Sequence, residues 1–142
     1  TMKVKDLMQD SVYTVSPDDM IDRVFFLLHY EKIRHLPVLE NEKVVGIVTD
    51  RDMYKALGPK SRSKRSEIVS GKTALHVNPR KVQNIMRRGV ITIEPEDSAA
   101  KAASMMASKK VGALPVTRAG KLAGIITATD ILKAFAKHCK DI

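Results

Sequence analysis

The sequence predicts an α+β fold, sandwich-like, in which two β-α-β-β-α repeats pack about a pseudo-two-fold axis. Three observations carry this. The chain has 142 residues, enough for one domain or two very small ones and enough to bury a core without staples. It matches itself without a gap at an offset of 78 residues, as from Gly46 to Gly124. Within each copy, strand-like and helix-like apolar patterns alternate in the same order.

The duplication comes first, because a missed repeat misplaces everything after it. Lys3-Val4, Met8, Val12, Thr14, Pro17 and Asp19 fall on Lys81-Val82, Met86, Val90, Thr92, Pro95 and Asp97. Leu36-Pro37-Val38 falls on Leu114-Pro115-Val116, and Gly46, Ile47, Thr49 and Asp52 on Gly124, Ile125, Thr127 and Asp130. The copies set repeat 1 at residues 1–58, a basic linker at 59–81, and repeat 2 with a C-terminal tail at 82–142. A matched unit of about 55 residues buries too little apolar surface alone, so the two copies are expected to pack on each other.

Taken in order, Val4 to Met8 is a short helical lead-in. Tyr13-Thr14-Val15 is β-branched or aromatic and reads as a short strand. Ser16-Pro17-Asp18-Asp19 opens a helix, with Ser as cap, Pro at the first position and acids in the first turn. Ile21, Val24, Phe25 and Leu28 give it one apolar face, and it runs over about Asp18–Glu31. His35 to Leu39 and Val44 to Val48 are strands joined by a turn at Asn41-Glu42; the second, continuously apolar, reads as buried. Thr49-Asp50 caps a last helix to about Leu57, stopped by Gly58-Pro59. The second copy repeats this order: a strand at Thr92-Ile93, a helix over about Asp97–Lys109, strands at Leu114–Val116 and Leu122–Ile126, and a helix from Thr127 to about Lys137. Met105 and Met106 read as core filler. Ile68, Val69, Leu75 and Val77 give the second part of the linker a short helix or docked turn.

Composition narrows the function. Hydrophobic residues are 44% and charged residues 29%, an ordinary globular balance. No apolar run is long enough for a membrane span. The start TMKVKDLMQD has no apolar signal core, so a cytoplasmic location is expected. The single cysteine, Cys139, excludes a disulfide framework and a cysteine metal site. With no Trp and 4% aromatics, base-stacking platforms are lacking. The formal charge of +9 favours anionic partners.

The strongest local pattern is Gly46-Ile47-Val48-Thr49-Asp50-Arg51-Asp52, copied as Gly124-Ile125-Ile126-Thr127-Ala128-Thr129-Asp130. Both copies are strand-to-helix junctions. The plain reading is a capping arrangement, in which Thr and an acid three residues on satisfy helix-end amides. The functional reading is a nucleotide cradle. Helix-end amides and a Thr hydroxyl suit a phosphate, the carboxylate can accept both ribose hydroxyls, and the glycine leaves room for a flat base.

On these residues the chain resembles a tandem pair of CBS domains, a Bateman module, over roughly residues 4–136. The resemblance lies in KDLM and NIM, in V-x-T-[VI]-x-P-[DE]-D, in LPV, and in G-I-x-T-x-x-D. With IRHLPV, TDRDM and a basic linker it is similar to the small acetoin-utilisation-type CBS proteins. The resemblance implies a regulatory module that binds adenosyl ligands in clefts between the copies. AMP, ADP or ATP is the expected type, with NAD and S-adenosylmethionine as alternatives and no obligatory cofactor. It places phosphate and ribose on Thr49 and Asp52, and on Thr127 and Asp130. It adds Arg34, His35 and Leu36 with the lead-in from Val82 to Arg88, and Gly112, Ala113 and Leu114 with that from Val4 to Asp10. The first pocket then gathers Arg34, His35, Arg51 and Arg88. The second has Gly112, Ala113 and Thr129, with Asp10 opposite. Guanidinium groups suit phosphates, so the pocket of Asp52 is expected to prefer phosphorylated nucleotides. The other is expected to take adenosine-like or weakly charged ligands, or none. A homodimer through the long helices is expected, and action in trans on an unknown target protein or through the chain's own assembly.

Other motifs carry less. Gly71-Lys72-Thr73 resembles the end of a P-loop, but the first glycine's place holds Ser66 and no buried strand precedes it. His29, His35, His76 and His138 lack metal-ligand spacing, and His29 and His138 read as helix surface. Asp18-Asp19 and Asp50/Asp52 have helix-start duty before catalytic duty. A lone terminal Cys139 reads as incidental. No nucleophile stands with a base, so no catalytic residue and no enzyme is assigned. The alternative function is binding of nucleic acid or an acidic protein through Lys60, Arg62, Lys64, Arg65 and Lys72, with vestigial clefts. The lack of aromatic platforms and of a recognition-helix motif disfavours it.

Overall fold

A computed structural model describes residues 1–57 and 80–140. The readings made for the linker, for His76 and for the helix stop at Gly58-Pro59 lie outside the described residues. The elements are α1 (Val4–Leu7), α2 (Ile21–Tyr30), β1 (His35–Glu40), β2 (Lys43–Thr49), α3 (Asp50–Leu57), a 3-10 turn (Val82–Asn84), α4 (Ala99–Lys109), β3 (Ala113–Arg118), β4 (Lys121–Thr127) and α5 (Ala128–His138). The architecture is α+β, with the same order of elements in both copies.

The chain divides into two compact units that cross the repeat boundaries. One is Tyr13–Val90; the other joins Thr1–Val12 to Ile91–Ile142. Each copy's lead-in therefore packs in the unit that holds the other copy's hairpin. Val82 is fully buried in a core with Ile21, Val24, Leu36, Val38 and Val48. Val4 is its counterpart, buried with Ile93, Ala102, Met106, Leu114 and Ile126.

Each hairpin follows from its turn. Asn41 and Glu42 both have positive φ, 53° and 68°, and Ala119 and Gly120 repeat this at 54° and 82°. Two successive left-handed residues match the twist of antiparallel strands. The registers pair Pro37 with Ile47 and Pro115 with Ile125, and bulges follow Val38 and Val116. In β2 only Gly46 and Val48 are buried, so this strand is less deeply covered than its apolar run predicts.

Two expectations are corrected. Tyr13–Val15 and Thr92–Ile93 are not strands; each is reduced to one parallel bridge, Val15 to Val38 and Ile93 to Val116. Val15 donates to the Pro37 carbonyl at 3.1 Å and accepts from the Leu39 amide at 2.8 Å. Extending that ladder toward Tyr13 requires an amide hydrogen on Pro37, which proline lacks. Pro115 blocks the second copy in the same way. The long helices also start later than Ser16-Pro17 and Glu94-Pro95 predict. The carbonyls of Pro17 and Asp19 accept from Gln83 (3.0 Å) and Val82 (2.8 Å), and the Ile21 amide donates to Arg80 (3.0 Å). Backbone groups committed to the lead-in cannot also serve a helix. Asp19 instead folds back on the Ser16 amide at 2.8 Å, and Asp97 on Glu94 at 3.0 Å. Ser98 then caps α4, accepting from the Lys101 amide.

The lead-ins meet the hairpins at the two closing glycines. A Cβ on Gly46 would stand 2.6 Å from Met86 Sδ and 3.0 Å from the Arg87 carbonyl oxygen. On Gly124 it would meet the Gln9 carbonyl oxygen at 2.6 Å and Met8 Sδ at 2.9 Å. A thioether can swing aside; a paired backbone carbonyl cannot. Both Gly→Ala substitutions should therefore destabilise, by about 1–3 kcal/mol, and Gly124→Ala more than Gly46→Ala. Urea unfolding of the two variants checks the order.

Candidate functional site

The two closing motifs form the same hydrogen-bonded cap. At α5, Asp130 Oδ2 accepts from the Thr127 amide at 2.8 Å and its hydroxyl at 2.9 Å, while Thr127 Oγ1 accepts from the Asp130 amide at 3.3 Å. At α3 the corresponding distances for Thr49 and Asp52 are 3.0, 3.1 and 3.3 Å. The capping arrangement is thus present in both copies, and it fixes one oxygen of each carboxylate.

The other oxygen faces the swapped lead-in. Arg87 Nε donates to Asp52 Oδ1 at 3.0 Å. At the equivalent place Gln9 Nε2 donates to Asp130 Oδ1 at 3.4 Å. Neither Arg87 nor Gln9 was singled out by sequence reasoning, which named their neighbours Arg88 and Asp10. The missing signal is register. Arg87 exchanges both backbone bonds with Ile47, at 2.9 and 3.1 Å, and Gln9 does so with Ile125, at 2.8 and 2.9 Å. Residues 87 and 9 are therefore the ones held against the closing strands, at the same offset of 78. The space at the two glycines is also reassigned: Met86 and Met8 fill it, where the sequence reading reserves it for a flat base.

The remaining named residues divide by burial. His35 begins β1 opposite Thr49, and Ala113 stands opposite Thr127. The Arg34 carbonyl accepts from the Asp50 amide at 3.2 Å, and Gly112 from Ala128 at 2.9 Å. Arg34 Nε lies 3.9 Å from Asp50 Oδ2 on an exposed side chain. Arg51, Arg88, Gly112, Thr129 and Asp10 are exposed. Leu36 and Leu114 have no exposed surface and belong to the two cores, so their side chains are committed to packing. In the first unit Thr49, Asp52, His35 and Arg87 come together; in the second Thr127, Asp130, Ala113 and Gln9 do.

Charge separates the two sites sharply. At the five equivalent positions the Asp52 site has Arg34, His35, Arg51, Arg87 and Arg88, and the Asp130 site has Gly112, Ala113, Thr129, Gln9 and Asp10. A cavity of about 330 Å³ opens beside Arg34 and Asp50, with Phe25, Met53 and Tyr54 in its wall. One of about 570 Å³ borders Asp130, with Asp6, Leu7, Lys133 and Lys137. Both volumes suit small-molecule sites. Among the described residues no group of three or more His, Cys, Asp and Glu could hold a metal ion, and no helix is long and apolar enough to cross a membrane.

A family model described as CBS domain matches the chain twice, over residues 4–59 and 82–137. A CBS domain-containing protein of Dictyostelium discoideum is 35% identical over 136 residues, which is 94% of this chain and 91% of the relative. The solved CBS domain pair of protein MJ0100, in complex with 5′-methylthioadenosine and S-adenosyl-L-methionine, is similar with a TM-score of 0.79 at 25% identity, covering 96% of this chain and 97% of that one. A Vibrio cholerae protein named for acetoin utilization is similar with a TM-score of 0.77 at 25% identity, covering 99% and 94%. Several longer curated relatives also match, and the chain spans less than half of their length.

His35 gives the first site a pH signature. Burial pushes its imidazole below the ordinary value of 6.5; the Asp50 carboxylate opposes this, Arg34 adds to it and Asp52 opposes it. The folded state therefore binds this proton less readily than the unfolded state. The stability held by neutral His35 is complete above the ordinary imidazole pKa and is lost as pH falls through it toward the depressed value. Urea midpoints should drop between about pH 7.5 and 5.5 by this linkage. His35→Asn should flatten that part of the curve, whatever it does to the midpoint itself.

Proposed function

The chain belongs to the CBS-domain family as a tandem pair, and from that premise we propose that it is a regulatory module that binds adenosyl ligands. The observation that carries this reading is the doubled cap. In each unit a Thr and an Asp at a helix start face a lead-in residue; Asp130 also lines a cavity of ligand size, and the cavity of the first unit opens at Arg34 and Asp50. The ligands of MJ0100, 5′-methylthioadenosine and S-adenosyl-L-methionine, share an adenosyl group, which supports the ligand class.

In this reading the Asp52 and Asp130 carboxylates accept ribose hydroxyls. Thr49 and Thr127, at the positive ends of α3 and α5, face the phosphate or its substitute. The basic surround of Asp52 takes phosphorylated nucleotides of the AMP or ATP type. The surround of Asp130, which has no Arg or His at the five equivalent positions and has Asp10 beside it, takes an adenosine-like or weakly charged ligand. Repeat 1 extends over 1–58 and repeat 2 over 82–142, joined by the linker 59–81. The module works as a cytoplasmic homodimer and signals to a target protein or through its own assembly, without a catalytic step.

Thermal unfolding against AMP, ADP, ATP, NAD and S-adenosylmethionine tests this. A ligand at a hundredfold its Kd should add about 2.7 kcal/mol of stability. Asp52→Ala removes a cap and an ion pair and will lower the starting Tm, so the readout is the increment added by ligand. The AMP increment should vanish in Asp52→Ala and survive in Asp130→Ala. The reverse pattern would overturn the assignment of the two sites, and no increment with any compound would overturn the function.

A further inference from the structure

We infer that Arg87 is an exchangeable latch on Asp52, which a phosphorylated nucleotide opens by taking the guanidinium onto its phosphate. This rests on the proposed adenosyl binding and names what selects the ligand at the first site.

Asp52 is the one buried ionisable side chain among the described residues, 7% exposed. Its Oδ2 is committed to the Thr49 amide and hydroxyl. Its Oδ1 is held by Arg87. With two donors on Oδ2 and Arg87 on Oδ1, one acceptor position of this carboxylate is left, so a pair of ribose hydroxyls binds only if one of them takes the place of Arg87. Displacing the cation without replacement would strand a buried charge, which is costly. A neutral nucleoside supplies hydroxyl donors but nothing for the displaced guanidinium. A nucleotide supplies both: its hydroxyls replace Nε–H on Oδ1, and its phosphate receives the guanidinium in a charge-assisted pair.

The geometry suits a side chain that swings while its backbone stays. The Arg87 backbone is fixed by both bonds to Ile47, yet its side chain is 51% exposed. Arg34, Arg51 and Arg88 are exposed as well, so the released guanidinium leaves Asp52 for a surround already suited to an anion. Gln9 at the second site is the built-in comparison. It makes a longer, uncharged contact of 3.4 Å to Asp130, so a neutral ribose meets no ion pair there.

Calorimetric titration of the full chain with AMP and with adenosine tests the latch, with Asp130→Ala present throughout to silence the second site. Arg87→Gln should leave adenosine binding as tight or tighter and weaken AMP, lowering the AMP-to-adenosine affinity ratio at least about tenfold. An unchanged ratio, with both ligands weakened alike or not at all, would overturn the latch while leaving adenosyl binding intact. Binding of neither ligand before Arg87 is changed would overturn the adenosyl reading of the first site itself. A second variant keeps the first intact: Gln9→Arg in the otherwise natural chain should raise AMP stoichiometry from one site to two. A stoichiometry that stays at one would count against the latch.

Discussion

The backbone pairing between each lead-in and the other copy's hairpin is the constraint on which the remaining structure depends. Residues 80–87 occupy the amides and carbonyls of Pro17, Asp19, Ile21 and Ile47. That pairing seats Val82 in the core and sets the start of α2 at Ile21. It brings Arg87 to Asp52 and requires a residue without Cβ at position 46. Residues 2–9 do the same for Asp97, Ala99 and Ile125 in the other unit. The hydrophobic and polar parts of each site thus have a common cause. The segment that fills the core also carries the donor to the carboxylate.

Much of this was legible in the sequence. The gap-free offset of 78 residues fixes equivalent positions, and the Thr-x-x-Asp pattern at both strand ends fixes the caps. What local patterns could not supply was competition for backbone groups. Ser16-Pro17-Asp18-Asp19 has every mark of a helix start, yet its carbonyls are engaged by residues more than sixty positions away, Val82 and Gln83. Tyr13–Val15 has strand composition, but the partner strand offers proline where an amide is needed. The choice between Arg87 and Arg88 turned on register, because neighbouring residues of an extended segment point to opposite sides.

The two copies show which features an architecture demands and which a site can vary. The Thr-Asp caps, the closing glycines, the hairpin turns, the bulges and the strand prolines are kept at equivalent positions in both. The side chains around the carboxylates differ at all five places compared. None of the five supports a core, apart from Ala113, which is buried where His35 is partly exposed. Duplication has left one frame with two electrostatic surrounds, one carrying four arginines and a histidine at these places and one carrying none.

The boundary between the units falls between Val12 and Tyr13 and again between Val90 and Ile91. Gln9 and Arg87 each lie three residues before a boundary, and Gly89, with φ of 66°, lies between Arg87 and the second. The peptide that carries the donor to each carboxylate is thus the same peptide that leads, three residues on, into the neighbouring unit. Each carboxylate is tied through one side chain to the covalent crossing between units.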